Sequence, residues 1–198
     1  MKEPKIRRIF RALAAVALIA LGAVSAAGAS AWSGASLYNL ASTWTTQDGA
    51  SVALDAFAGR PLVLAMGYTT CRDICPAIVA DMMWVEKHLP PGAGPRVRFA
   101  FFSFDSEADT PERLKLYGES HGLDPSRWTL LRSDADAVRE LAAALDVPFR
   151  PNDEAGFDHA AAISLLNAKG EIVFQQRGAQ ASSEELLKKL EELLAAPD

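Results

Sequence analysis

"PLVLAMGYTTCRDICPAIVADMMWVEKHL", residues 61–89, sets out the core of the fold in one pass. Its first eight residues, 61–68, form a continuous apolar run. A strand covered on one face alternates apolar with polar, so an unbroken run predicts a strand buried on both faces. From residue 77 the period changes. Ile78, Met82, Val85 and Leu89 fall along one face of a helix predicted over 77–89, and the Pro/Gly stretch 90–95 ends it. Between strand and helix lies a loop with the chain's two cysteines, Cys71 and Cys75, and Pro76 directly behind them. Open α/β sheets place their functional sites where a central strand ends and a helix begins.

The segments on either side extend this pattern. "STWTTQDGASVALDAFAGR" (42–60) reads as a hairpin turning at Asp48-Gly49. "RVRFAFFSFD" (96–105) is a second central strand. Thr110-Pro111 opens a helix, with Thr110 as N-cap and Pro111 at the first helical position. "WTLL" (128–131) predicts a short strand and "DADAVRELAAALDV" (134–147) a helix. "HAAAISLLN" (159–167) and "EIVFQQRG" (171–178) predict two strands joined at Ala168-Lys169-Gly170. Ser182 with Glu185 forms a capping box for a final helix over 183–195. Strand–helix alternation followed by a hairpin and a helix predicts an α/β domain whose parallel half is closed by an antiparallel edge.

Residues 1–31 belong to a different class. Lys2, Lys5, Arg7, Arg8 and Arg11 precede an apolar, alanine-rich run, and small residues dominate from Ser25 to Ala31. That is the layout of a secretory signal peptide, or of an uncleaved membrane anchor, since Ala12–Ala29 is 18 residues long. Either reading puts the rest of the chain outside the cytoplasm. Residues 32–42 read as a linker and 43–198 as one domain. Residues 1–11 carry five basic side chains and one acid, a net +4; set against −5 for the whole chain, this leaves −9 on the remainder. Such an acidic body argues against nucleic-acid binding.

With 49% apolar residues in 198, the core does not depend on disulfides, so the two cysteines point to function. Three uses fit their spacing: a structural disulfide, a redox couple, or part of a soft metal site. A helix N-terminus favours thiolate over thiol, and residues four apart on a helix share a face. Two thiolates do not complete a zinc site, which takes four ligands, whereas Cu(I) accepts two sulfurs and an imidazole. Of the three histidines, His88 sits at a polar helix end and His121 near a helix C-terminus. His159 opens an apolar strand with Asp158 beside it, a position suited either to a ligand or to a packed structural side chain.

Together these segments resemble the Sco/SenC family of thioredoxin-fold copper chaperones. "GYTTCRDICP" is similar to the family's G-Y-T-x-C-x-D-x-C-P, and "DHAAAISLLNAKG" to D-H-S-x-x-x-x-L-[LIV]-[DN]-x-x-G. "SFDSEADTPERLKLY" looks like S-x-D-P-x-x-D-T-P, and the likeness runs from about residue 37 to 192. It implies a thioredoxin-like domain, a central mixed sheet flanked by helices, with the N-terminal hairpin and the export or anchor segment added. It further implies copper held by Cys71, Cys75 and His159. Asp73 would tune the loop, and Asp105 and Asp158 would orient the site. Arg72, Thr70 and Ser106 depart from the usual proline, histidine and proline. A cation at 72 favours thiolates yet repels incoming copper.

The implied function is an extracytoplasmic, periplasmic copper chaperone rather than a turnover enzyme. Its partner would be the copper-receiving subunit of cytochrome c oxidase or another copper protein. It would need a thiol reductant, and the inner membrane would be contacted through the N-terminal segment. The alternative is a thiol–disulfide oxidoreductase acting through Cys71 and Cys75, with Cys71 the attacking thiol. A peroxide-reducing relative could draw on Thr69 and Arg72 but leaves Cys75 and His159 without a role.

Overall fold

The computed structural model describes residues 32–153, 156–178 and 183–196. The export or anchor segment (1–31) lies outside the described residues, as does Ser182 of the expected capping box. Among the described residues, no helix is long and apolar enough to cross a membrane.

The continuous apolar run forms strand β3 (Leu62–Gly67), buried along its whole length. Before it come β1 (Thr43–Thr46) and β2 (Ser51–Ala53), the hairpin expected around Asp48-Gly49, with Thr43 opposite Ala53. After it come helix α1 (Ile74–Lys87), β4 (Arg98–Ser103), α2 (Pro111–Ser120), β5 (Trp128–Arg132) and α3 (Ala135–Ala144). Next are β6 (Phe149–Pro151), β7 (Phe157–His159), β8 (Ala162–Leu166), β9 (Ile172–Arg177) and α4 (Glu184–Ala195).

The main sheet has the order β2-β1-β5-β4-β3-β8-β9. β3, β4 and β5 are parallel, while β1 and β8 pair antiparallel to β5 and β3. This is the mixed α/β sheet predicted. Side-chain alternation along β3 feeds two cores. Leu62, Leu64 and Met66 join Trp44, Phe102 and Leu141 of α3 on one face. Val63 and Ala65 join Met82 of α1, Leu114 of α2 and Leu190 of α4 on the other. β3 is apolar throughout because both faces are covered.

The helix starts match their chemistry. Thr110 caps α2 by accepting from the Arg113 N–H, and Asp134 caps α3 by accepting from the Asp136 and Ala137 N–H groups. α4 begins at Glu184 after Ser183, whose side chain makes no cap bond.

Two expectations change. The strand predicted over 159–167 is two elements. β7 leaves the main sheet to pair with β6 in a separate ribbon (Phe149↔His159, Pro151↔Phe157), and β8 starts only at Ala162. Three-residue β6 carries Arg150 and Pro151, too short and too mixed to show a period. Residues 32–42, expected as a linker, dock on the β8–β9 turn. Leu37 and Tyr38 are buried, the Leu37 N–H donates to the Gly170 carbonyl, and Ser36 bridges to Glu171. Gly170 has φ +80°, and a Cβ there would lie 2.6 Å from the Tyr38 ring, so only glycine closes this turn against it.

Candidate metal centre

α1 begins three residues earlier than its apolar period indicates. Ile74, Cys75 and Pro76 form its first turn, where the N–H groups have no intrahelical partner and proline costs nothing. The cysteines are therefore not on a shared helix face. Cys71 lies in the loop ahead of the helix and Cys75 is its second residue. The sulfur of Cys71 lies over the open helix end and accepts from the Cys75 N–H at 3.4 Å.

His159, the last residue of β7, brings its ring to the same point. Its Nε2 is 3.3 Å from the Cys75 Sγ, and its Nδ1 is 3.1 Å from the Ala160 carbonyl. A carbonyl can only accept, so Nδ1 carries the hydrogen and Nε2 presents a lone pair toward the sulfurs. The two Sγ atoms and one ring nitrogen lie within 4.8 Å of one another. Phe104, 5.0 Å from the imidazole between ring centroids, and Tyr68, at 6.1 Å, wall the histidine, and Phe149 and Phe157 pack behind Phe104. Both cysteines are free thiols.

The two thiols differ electrostatically. Burial opposes ionisation of Cys71. Hydrogen bonds from the Cys75 thiol and from the backbone N–H groups of Cys75, Asp73 and Ile74 outweigh it and hold the Cys71 pKa below the ordinary thiol range. Cys75 is fully buried, and burial, the hydrogen bond to Cys71 and the nearby charges of Cys71 and Asp109 push its pKa far up. Burial lowers the His159 pKa, which keeps the imidazole neutral to lower pH. A lowered pKa means more thiolate at a given pH. In the metal-free protein, iodoacetamide alkylation of Cys71 therefore reaches half its maximal rate below the ordinary cysteine midpoint of about 8.5. Cys75 reacts only at much higher pH or after unfolding. Mass spectrometry of the alkylated peptides across pH 5–10 checks this; equal profiles for the two thiols would contradict it.

The expected carboxylates have other occupations. Asp73 occupies the N-cap position of α1, exposed and making no side-chain cap bond. Asp105 accepts from the Ala108 and Glu107 N–H groups and caps its own turn. Asp158 alternates to the outer face of β7, where Arg150 donates to it at 3.0 and 3.1 Å and Asn152 at 3.2 Å. It ties the ribbon together, and the Ala160 carbonyl, not Asp158, meets His159 Nδ1. His88 stacks on Trp84 and is exposed. His121 bonds back to the Tyr117 carbonyl at the end of α2.

Two residues beside the site carried no expectation. Gly67 ends β3 directly under Cys75: a Cβ there would lie 2.9 Å from the Cys75 Sγ and 2.7 Å from the Phe101 ring. Asp109, fully buried, accepts from the N–H and the hydroxyl of Thr69 and from the hydroxyl of Ser103. Its place in "DTP" was the available signal, but the N-cap reading of Thr110-Pro111 accounts for that tripeptide by itself.

Compared with known proteins, residues 34–195 match the SCO1/SenC family model. The chain belongs to the SCO1/SenC family. Among relatives, a SCO1 protein homolog of Bacillus subtilis is 26% identical over 141 residues, covering 70% of this chain and 72% of that protein. Among solved structures, copper-bound ScoI of Arabidopsis thaliana superimposes with a TM-score of 0.68 at 20% identity, over 77% of this chain and 94% of that one. Copper-bound yeast Sco1 gives 0.67 at 20% identity, over 79% and 88%. Apo Sco1 of Thermus thermophilus gives 0.63 at 26%, over 77% and 91%. These likenesses establish the thioredoxin-like Sco fold, with its mixed central sheet between layers of helices.

Proposed function

We propose that this SCO1/SenC protein binds one copper ion on Cys71, Cys75 and His159 outside the cytoplasm and passes it to a copper-receiving protein, the copper subunit of cytochrome c oxidase. The observation that carries this is the convergence of two sulfurs and an imidazole nitrogen within 4.8 Å. The donor chemistry fits: two soft thiolates and one imidazole suit Cu(I), and among the described residues the cluster holds no fourth ligand of the kind structural zinc takes. The copper-bound relatives support the same choice of ion.

The arrangement also suits release. Cys75 is sealed in the core, while Cys71 is half-buried at the loop and open to an incoming thiolate or imidazole. Copper would pass by ligand exchange, the acceptor's donors replacing Cys71 first. The segment 12–29 would export the domain as a signal peptide, or hold it at the periplasmic face of the inner membrane as an anchor.

A second reading draws on the unequal thiols. Cys71 thiolate would attack a disulfide of the client protein and form a mixed disulfide. Cys75 would then resolve it, releasing the client as a dithiol and leaving Cys71–Cys75 oxidised for an external thiol reductant. Here His159 is dispensable.

The deciding experiment is a Cu(I) titration of the reduced full chain against a competing chelator. One tightly held copper per chain is expected, with none held tightly by the chain carrying both Cys71→Ser and Cys75→Ser. Copper bound equally well by that variant would remove the proposed site.

A further inference from the structure

Asp109 is a fully buried carboxylate placed neither in the ligand set nor on the surface. A buried carboxylate is tolerated only where its oxygens are well supplied with donors. The donors here are specific. The Thr69 N–H is 3.0 Å from Oδ2 and the Thr69 hydroxyl 2.5 Å from Oδ1, so one residue is gripped by both oxygens. The Ser103 hydroxyl donates to Oδ2 at 2.5 Å, and the same hydroxyl oxygen accepts from the Asp105 N–H at 3.0 Å. The Asp109 N–H closes the turn by donating to the Asp105 carbonyl at 3.1 Å.

Thr69 lies two residues before Cys71, inside a turn in which the Cys71 N–H donates back to the Tyr68 carbonyl. Thr70, Arg72 and Asp73 of this loop are exposed, so packing does little to fix it. Holding both the backbone and the side chain of Thr69 on one carboxylate removes the loop's freedom to rotate about that residue.

We propose that Asp109 is the positioning residue of the thiol loop: through Thr69 it sets where the Cys71 sulfur stands relative to Cys75 and His159. Asp109 touches none of these three ligands by hydrogen bond, and it acts by anchoring the end of β4 to the loop that follows β3. Ser103 is the fixed side of this clamp and Thr69 the side that matters for the ligands.

The test uses the full chain and two equilibria, one of which needs no copper. The first is oxidation of the Cys71–Cys75 pair against a glutathione redox buffer, which reads how well the sulfurs are placed for each other. The second is Cu(I) affinity by chelator competition, which rests on the copper reading above. D109N keeps the size of the side chain but turns N–H donors toward Thr69 or Ser103. It is expected to lower both constants by about tenfold or more, the range seen when a partner of a metal ligand is lost. T69V, which removes one donor from a half-buried residue, should shift both constants in the same direction, and T69S should restore them. S103A, which leaves both Thr69 bonds, should stay within about threefold of wild type in both constants. D109N combined with T69V should be no worse than D109N alone, since both cut one connection.

The proposal is overturned if T69V matches wild type in both constants, or if S103A falls as far as D109N. Should D109N fail to fold, the T69V and T69S pair decides alone. If the wild type binds no copper, the function proposed above fails, and the glutathione equilibrium still decides for or against Asp109.

Discussion

Replacing His159 by alanine is expected to remove tight copper binding and to leave thiol–disulfide exchange nearly unchanged. The imidazole supplies the only nitrogen of the three-donor cluster, and the Ala160 carbonyl has already fixed its tautomer for that task. Loss of a residue behind a metal ligand costs about 10–100-fold in affinity, so loss of the ligand itself should cost more than about 100-fold. That exceeds what packing alone explains. The ring's contacts with Phe104 and Tyr68 are worth about 0.5–1.5 kcal/mol, or roughly tenfold at most, and they act on folding rather than on copper. The sulfurs keep their own geometry in the variant, because the Cys75 N–H bond to Cys71 and the helix end do not involve His159. The glutathione equilibrium of the pair should therefore stay within about threefold, roughly 0.6 kcal/mol. Measuring both constants on one preparation separates the readings. If copper affinity survives, His159 is a packed structural side chain and the site is thiol exchange. If both constants collapse, the ribbon carrying His159 holds the loop together and the ligand argument loses its basis.

The sequence made the main sheet legible because each central strand obeys one rule. β3 is covered on both faces, so its apolar run has no gaps, and the Thr110-Pro111 start of α2 is local chemistry that tertiary contacts leave alone. The ribbon was not legible. β6 and β7 are three residues each, their pairing joins positions six to ten apart, and neither strand is long enough to show a period of two. Without the ribbon, His159 looks like the first residue of β8, when in fact it hangs from β7 over the end of β3. The trio Cys71, Cys75 and His159 was named through the family resemblance, and the structure brings the three side chains together. The contact of Asp109 with Thr69 was not legible: it spans forty residues, and no spacing rule connects those positions. The opposite error occurred at Asp158. Its adjacency to His159 in the chain suggested cooperation, but neighbours on a strand point to opposite faces, and Asp158 serves Arg150 and Asn152 instead.

Gly67 shows how a residue with no side chain governs the centre. Gly67→Ala is expected to destabilise the protein and to weaken copper binding by about tenfold or more, through two different contacts. The added Cβ would lie 2.7 and 2.8 Å from Phe101 ring atoms and 2.9 Å from the Cys75 Sγ. Phe101 is fully buried and stacked on Tyr117, so the ring has little room to withdraw. Overpacking of this kind costs about 1–3 kcal/mol, which lowers Tm by roughly 2–10 °C in a domain of this size. On the side away from Gly67 the sulfur meets His159, already standing 3.3 Å from Nε2. Pushing it that way closes the space between the donors. Phe101→Leu in the same chain separates the two effects. Trimming the ring should recover much of the Tm, while copper affinity stays low because the contact with Sγ persists. Recovery of both would mean that Phe101 alone conveys the clash, and that Gly67 is required for the core rather than for the metal.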